Sequence, residues 1–253
     1  MSFAVTADAY DQFMGRYSTR LAPAFADYAG VLSGQRVIDV GCGPGALTHE
    51  LVQRVGAANV SAVDPSESFV AAARERFPEV DARRASAESL PFADKTFDAA
   101  LAQLVVHFMS DPIAGLREMA RVVRKGGVVA ACVWDHSAAG RGPLNVFWQA
   151  AREVDPDVVD EARRAGSSEG DLHTLFVRAG LRAVESTSLV AQLRHPSFEE
   201  WWAPFTLGVG PAGVYVAGLD PERRAMLMER CRQLQPRAAF DVAAHAWTAR
   251  GYV

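Results

Sequence analysis

The sequence has little of what marks secreted, membrane-spanning or nucleic-acid-binding proteins. Its 253 residues include only three cysteines, Cys42, Cys132 and Cys231. Such a sparse, odd set argues against a disulfide framework and fits a reducing compartment. No apolar run reaches the roughly 18 residues that a membrane-spanning helix needs. The first residues contain acids and no uninterrupted apolar stretch, unlike a signal peptide. We therefore expect a soluble, cytoplasmic protein with no membrane span.

An excess of positive charge is also missing. The formal net charge is −4, and the basic residues are scattered along the chain, so we expect no nucleic-acid partner or substrate. No pair of cysteines has the spacing of metal ligands, and the separations among His136, His173, His195 and His245 suggest none either. The sequence therefore predicts no metal site.

The sequence does contain a regular alternation of apolar strands and amphipathic helices. Hydrophobic residues make up 49% of the chain, enough for a sizeable core in one domain. From Arg36 to Trp134 the alternation is strict, which indicates an α/β fold with a parallel sheet and right-handed crossovers. Gly126 and Gly127 are predicted to end the last helix of this series. The predicted strands of the series are 36–40, 59–64, 79–85, 98–106 and 128–134.

Helices are predicted on either side of this alternating region. Thr6 is a candidate N-cap for a first helix, and residues 1–35 are expected to close over a ligand. Residues 195–237 have helical patterns and no strand, so we expect a helical insertion that forms a lid. We expect the whole chain, 1–253, to be a single domain. Two late strands with alternating polarity are predicted at 183–195 and 240–253.

The stretch "VIDVGCGPGALTHELV" (37–52) changes from a buried strand to a helix through three glycines. In an open parallel sheet, ligands bind outside the carboxyl ends of the strands, so this turn is a candidate site. Gly41, Gly43 and Ala46 match the dinucleotide-binding pattern, and Asp64 follows about 20 residues later, where a ribose-binding acid belongs. On spacing alone, a nicotinamide or flavin dinucleotide is one interpretation.

Asp39, just before the glycines, favours a different ligand. Two like charges about 4 Å apart repel by about 4 kcal/mol at an effective dielectric constant of about 20. A carboxylate is therefore a poor neighbour for a diphosphate and a good one for an amino group. Asp64 suits any ligand with a ribose diol. Together the two acids favour a cationic adenosine compound without phosphate.

Five motifs occur in order: "VIDVGCGPG", "VSAVDPS", "ASAESLPF", "FDAALAQLVVHFMSDP" and "RVVRKGGVVAACVW". The region from residue 10 to about 135 resembles the S-adenosylmethionine-dependent methyltransferases of class I, in particular the UbiE-like (methyltransferase type 11) small-molecule subgroup. The resemblance implies a Rossmann-like three-layer sandwich, whose seven-stranded sheet is mostly parallel with an antiparallel last strand. It also implies methyl transfer by an SN2 step from S-adenosyl-L-methionine to a small, apolar or aromatic acceptor, leaving S-adenosyl-L-homocysteine.

The resemblance also implies roles for particular residues. The methionine part of the cofactor would be bound near Asp39, Gly41, Cys42, Gly43 and Gln103. The adenosine part would be bound by Asp64 at the ribose hydroxyls and by Pro65, Ala87 and Glu88 around the adenine. Tyr10 and Arg20 would close over the cofactor, with Arg20 near its carboxylate.

The acceptor side is less defined by sequence. His107 follows the fourth strand, where an acceptor would approach, and is the candidate catalytic base; a packing or capping role is the alternative. Trp201, Trp202 and Phe205 either pack the insertion onto the sheet or line the acceptor pocket. Two further functions stay open at this point: an NAD(P)-binding oxidoreductase, and a catalytically silent protein that binds the cofactor.

Overall fold

The computed structural model describes residues 5–137 and 139–253, with one central sheet. Residues 1–4 of the predicted N-terminal closing segment lie outside this description. The strands are β1 (Val37–Val40), β2 (Val60–Asp64), β3 (Asp81–Arg84), β4 (Phe97–Gln103), β5 (Val123–Trp134), β6 (Arg182–His195) and β7 (Phe240–Tyr252). They run in the spatial order β3-β2-β1-β4-β5-β7-β6. β7 is antiparallel to both of its neighbours, β5 and β6, whereas the pairs among β1 to β5 are parallel.

Helices cover both faces of the sheet, which confirms the predicted Rossmann-like three-layer sandwich. Thr6 caps the first helix: its hydroxyl oxygen accepts from the backbone N–H of Ala9 at 3.2 Å. A π-helical turn, Asp11–Gly15, joins that helix to the next. The helices are α1 (Ala7–Tyr10), α2 (Arg16–Ala29), α3 (Ala46–Val55), α4 (Glu67–Arg76), α5 (Pro112–Val122), α6 (Asn145–Val154), α7 (Asp171–Ala179), α8 (Phe198–Trp202), α9 (Gly210–Gly218) and α10 (Pro221–Leu234).

The alternation of side chains along β1 decides where Asp39 points. Ile38 and Val40 pack in the core on one face of the sheet, and Val37 packs in the core on the other face, with residues of α2 and α3. Because successive side chains of a strand point to opposite faces, Asp39 shares the face of Val37. Its carboxylate is therefore buried under α3, not displayed to solvent.

A third apolar cluster lies apart from the two sheet faces and contains α6, the helices between β6 and β7, and Phe13 of the π-helical turn. Trp201, Trp202 and Phe205 are buried in it, and Phe13 meets Phe205 edge to face at 5.1 Å. The segment from α8 to α10 thus packs against the N-terminal helical region. Among the described residues, no helix is both long and apolar enough to cross a bilayer.

The predicted role of Gly126 and Gly127 as the end of a helix is wrong. α5 ends at Val122, and β5 begins at the next residue. The N–H of Gly126 donates to the carbonyl of Val253 at 2.9 Å, and Gly126 has a φ of +76°. A Cβ at Gly127 would lie 2.5 Å from the carbonyl oxygen of Asp98. Both glycines therefore serve the close pairing of β5 with its neighbouring segments.

Candidate active site

The glycine turn after β1 is held against the end of β2. The backbone N–H groups of Gly41 and Cys42 both donate to the carbonyl of Val63, at 2.7 and 2.9 Å. Gly41 and Gly43 have φ values of +75° and +53°, a region that glycine enters without strain. A Cβ at Gly41 would lie 2.4 Å from Val105, whereas one at Gly43 would meet nothing within 4 Å. Gly41 thus allows close packing, and Gly43 leaves open space for a ligand.

Asp39 carries a buried oxygen that lacks a partner. The residue is 1% exposed, and Oδ2 accepts from the Thr48 hydroxyl at 2.7 Å. Oδ1 is buried and has no hydrogen-bond partner among the described residues. Burial, helped by the nearby Asp64, raises the pKa of Asp39 to about 7. This carboxyl group is therefore poised to ionise when a cationic donor arrives.

Gln103, at the end of β4, presents a second acceptor of this kind. Its Nε2 donates to the carbonyl of Ser18 at 3.1 Å, which fixes the orientation of the amide, while its Oε1 is buried without a partner in the part of the chain described. Gln103 and Asp39 both line one small cavity. Two unpartnered acceptors at one small cavity fit a group with several N–H donors, such as an ammonium. The remaining lining residues are Tyr10, Ser18, Gly41, Cys42, Ala46 and Leu47.

Asp64, at the end of β2, braces the glycine turn. Its Oδ2 accepts from the N–H of Gly43 at 2.9 Å, and its Oδ1 accepts from the N–H of Ser66 at 2.8 Å. Burial raises the pKa of Asp64, and these two N–H donors partly oppose the rise. Because each carboxylate oxygen can accept a second hydrogen bond, Asp64 can still receive a pair of ligand hydroxyls.

A larger cavity joins these residues to the acceptor side. It shares Tyr10, Gly41 and Gln103 with the small cavity. Burial raises the pKa of Tyr10 to about 12, so its hydroxyl stays protonated at neutral pH. The predicted site residues that line the larger cavity are Tyr10, Gly41, Gly43, Asp64, Pro65, Gln103 and His107.

Three predicted cofactor residues line neither cavity. Arg20 lies exposed on α2. Glu88 is occupied elsewhere: its Oε1 accepts from the N–H of Ser110 at 2.8 Å, which ties two loops together. Ala87 is 8% exposed and packs in the core on the α5 side of the sheet. The structure does not bring these three to the other candidate residues, and their contacts with a cofactor stay predictions.

His107 lies on a short 3₁₀ turn (Val106–Phe108) just after β4. It is 7% exposed, and its ring lies 3.9 Å from that of Phe108 and 5.6 Å from that of His136. Burial lowers the pKa of His107 well below its usual range, and His136 and Arg164 lower it further. His107 is therefore a neutral imidazole at physiological pH.

Two neighbours of His107 escaped the sequence prediction. His136 follows β5 and is 5% exposed, and neither ring nitrogen has a hydrogen-bond partner among the described residues. Glu161 is 2% exposed, and its Oε2 accepts from the indole N–H of Trp148 at 3.2 Å. Both line the larger cavity with His107. Because the three residues come from separate segments, no local spacing in the sequence predicts that they lie close together.

The rest of the larger cavity is mostly apolar. Pro211 at the start of α9 contributes to the wall, as do the π-helical turn and the end of β5. Trp201, Trp202 and Phe205 are not part of it, which favours their packing role. The apolar lining residues include Phe13, Met14, Phe69, Trp134, Leu144 and Val209.

Known proteins resemble this chain in both sequence and fold. Residues 38–131 match the family model of a methyltransferase domain. The chain is 37% identical over 117 residues to a phosphatidylethanolamine N-methyltransferase of Cereibacter sphaeroides, covering 44% of this chain and 55% of that protein. It is 30% identical over 138 residues to a demethylmenaquinone methyltransferase of Renibacterium salmoninarum, covering 54% and 56%. The chain thus spans about half the length of these curated relatives.

A solved structure extends the likeness to nearly the whole chain. A putative methyltransferase from Bacillus halodurans has a TM-score of 0.59 at 20% identity, covering 92% of this chain and 99% of that one. At 20% identity, the match shows a shared fold and no more. Together with the matched domain and the motifs around Asp39 and Asp64, it supports the resemblance seen in the sequence: residues 38–131 match a methyltransferase domain, and the chain has the fold of the seven-stranded, Rossmann-like methyltransferases.

Proposed function

We propose that this protein transfers a methyl group from S-adenosyl-L-methionine to a small-molecule acceptor. The observation that carries the proposal is the pair of unpartnered buried oxygens, Oδ1 of Asp39 and Oε1 of Gln103, in residues that line one small cavity. An amino group at that cavity would satisfy both oxygens. Leaving such acceptors unsatisfied costs about 1–3 kcal/mol each, so a ligand that supplies donors gains correspondingly.

The rest of the cofactor fits the neighbouring residues. Asp64 would accept hydrogen bonds from the ribose hydroxyls, and Pro65 would pack beside the adenine. Cys42 and Gly43 would contact the methionine part through the backbone, since the Cys42 thiol is buried and burial raises its pKa well above the usual range. A diphosphate, by contrast, would bring anionic oxygens beside Asp39 and Asp64, which disfavours a nicotinamide or flavin dinucleotide.

S-adenosyl-L-methionine, when bound, supplies a methyl group already activated on a sulfonium. The chain's own part is to hold the acceptor in line with that group and to exclude water. The apolar walls of the larger cavity suit a small apolar or aromatic acceptor. We propose that His107, neutral because of burial, accepts the proton of a hydroxyl acceptor.

We propose that the N-terminal helices and residues 195–237 together form a lid over the site. A partly buried chain of hydrogen bonds supports this proposal: the Tyr17 hydroxyl lies 2.8 Å from Nε2 of His195, and Nδ1 of His195 lies 2.7 Å from Glu200. Arg16 pairs with the same glutamate. Cytoplasmic localisation is also part of the proposal, supported by three cysteines that are all free and buried.

Isothermal titration calorimetry with S-adenosyl-L-methionine, its demethylated product and NAD⁺ tests the cofactor. We expect the first two to bind and NAD⁺ not to bind; the reverse pattern would overturn the proposal in favour of an oxidoreductase. Transfer of a radiolabelled methyl group is then measured across a panel of apolar hydroxyl, amine and carbon acceptors. Binding of the cofactor without transfer to any of them would indicate a catalytically silent binding protein.

A further inference from the structure

We propose that His107, His136 and Glu161 bind a divalent transition-metal ion on the acceptor side of the larger cavity. One donor atom from each residue lies within 4.8 Å of the other two. Around an ion with bonds of about 2.1 Å in tetrahedral geometry, donors lie about 3.4 Å apart. Small side-chain rotations therefore bring the three donors to bonding distance.

The hydrogen bonding of these residues points to a ligand. Both ring nitrogens of His136 and Nδ1 of His107 are buried and unpartnered among the described residues. In a neutral imidazole one nitrogen is an acceptor, and burying it without a donor or a metal is costly. An ion accounts for the acceptor nitrogen of each ring.

The donor set selects the kind of metal. Two imidazoles and one carboxylate are typical of zinc sites and of non-haem iron sites with open positions, whereas magnesium and calcium prefer oxygen ligands alone. Glu161 is already oriented by the indole N–H of Trp148 at 3.2 Å. Partners of this kind hold metal-binding carboxylates in place. The site thus contains the three ligands and, in Trp148, a hydrogen-bond partner that orients one of them.

The charges that act on the cluster are mixed. The Arg164 guanidinium opposes a cation: it stacks on Phe108 at 5.2 Å and lowers the pKa of both histidines. The carboxylates of Glu161, Asp135 and Asp160 act on His136 in the opposite direction. Because Glu161 would bind the ion directly, its negative charge would lie closer to the ion than the positive charge of Arg164. The balance of charge permits a divalent ion.

The role of the ion in methyl transfer is inferred from the position of its ligands, and this step rests on the proposed function. The three ligands and the residues Gly43 and Asp64 line one continuous cavity. An ion with an open coordination position would bind an oxygen of the acceptor and hold it toward the cofactor side. The acceptor class is therefore an oxygen-bearing small molecule, such as an alcohol, a phenol or an enol. With the ion bound, His107 would be a ligand and not the base proposed above. The ion would lower the pKa of the acceptor's hydroxyl, and the proton would pass to solvent water before the oxygen accepts the methyl group.

Metal binding to the untagged, full-length protein tests the inference directly. The protein is freed of metal with a chelator, dialysed, and titrated with Co²⁺ by visible absorption and with Zn²⁺ against a chromophoric competitor. We expect one equivalent of either ion, with the Co²⁺ bands of a site containing nitrogen and oxygen ligands. His136→Asn and Glu161→Gln should each weaken binding by more than about 100-fold, beyond the loss expected for a supporting residue alone.

His173→Ala is the matched control, because His173 is an exposed histidine on α7. It should leave both titrations unchanged. No saturable binding by the wild type, or equal loss in the control and in both cluster variants, would overturn the inference. Each variant is also titrated with S-adenosyl-L-homocysteine, which reports a folded cofactor site. Cofactor binding without metal binding would contradict the metal site and leave the proposed function standing. Metal binding without cofactor binding would support the metal site and contradict the proposed function.

Discussion

The pH dependence of cofactor affinity tests the role of Asp39 in depth. In the free protein, burial raises the pKa of Asp39 to about 7. A bound ammonium favours the ionised carboxylate and returns its pKa toward the ordinary value of about 4. The cofactor's interaction with Asp39 is thus fully present above pH 7. It is lost as the pH falls below 7, because binding must then first remove a proton from Asp39.

The size of the effect follows from this difference in pKa. Between pH 7 and pH 5 the ionised fraction of Asp39 in the free protein falls with each unit, so the Kd should rise by about 100-fold from its plateau, or about 2.7 kcal/mol. Above about pH 8 the Kd should rise again as the amino group of the ligand, itself an α-amino group, loses its proton. Asp64 also has a raised pKa, so the profile has to be resolved with variants.

Calorimetry between pH 5 and pH 9 provides the assay. Asp39→Asn should weaken binding at pH 7.5 and remove the acidic limb. Thr48→Val removes a hydrogen bond that lowers the pKa of Asp39, so it should move that limb to higher pH. Asp81→Asn, in an exposed ion pair with Arg83, is the control and should change neither. An Asp39→Asn profile that keeps the wild-type acidic limb would show that another group, not Asp39, controls the pH dependence of cofactor binding.

Three further changes should have defined effects. Gly41→Ala places a Cβ at a positive φ and 2.4 Å from Val105; urea unfolding should show a loss of about 2–4 kcal/mol, and a loss under 1 kcal/mol would contradict the packing described. Asp64→Ala should lower the affinity for S-adenosyl-L-homocysteine by about 10- to 100-fold, and it should lower the affinity for a 2′-deoxyribose analogue much less. Equal losses for the two ligands would mean that Asp64 only braces the turn. Tyr17→Phe leaves Nε2 of His195 without its partner at 2.8 Å, so unfolding should show a loss of about 1–3 kcal/mol, and an unchanged midpoint would remove the support for the lid.

The order of elements was predictable because each one carries its own periodic pattern. β1 and β2 are mostly apolar and buried along their whole length, as strands covered on both faces are. The late strands β6 and β7 alternate in polarity as half-covered antiparallel strands do. The end of α5 was not predictable, since the requirement for Gly126 comes from its bond to Val253 at the far end of the sequence.

Some residues of the candidate site could likewise be predicted from the sequence, and others could not. Asp39, Gly43 and Asp64 could be found because one turn and one neighbouring strand end bring them together. The approach of His136 and Glu161 to His107 depends on how three distant segments pack, and sequence spacing holds no trace of it. The unpartnered oxygens of Asp39 and Gln103 are equally a property of the packed molecule, because they arise from what the surrounding side chains fail to supply.

A crystal structure with bound S-adenosyl-L-homocysteine would show where the amino group of the ligand lies relative to Asp39 and Gln103. We expect that amino group within about 3 Å of both Oδ1 of Asp39 and Oε1 of Gln103, with the ribose hydroxyls on Asp64. An amino group bound elsewhere, or a diphosphate ligand seated on Gly41 and Gly43 with Asp39 turned away, would contradict it.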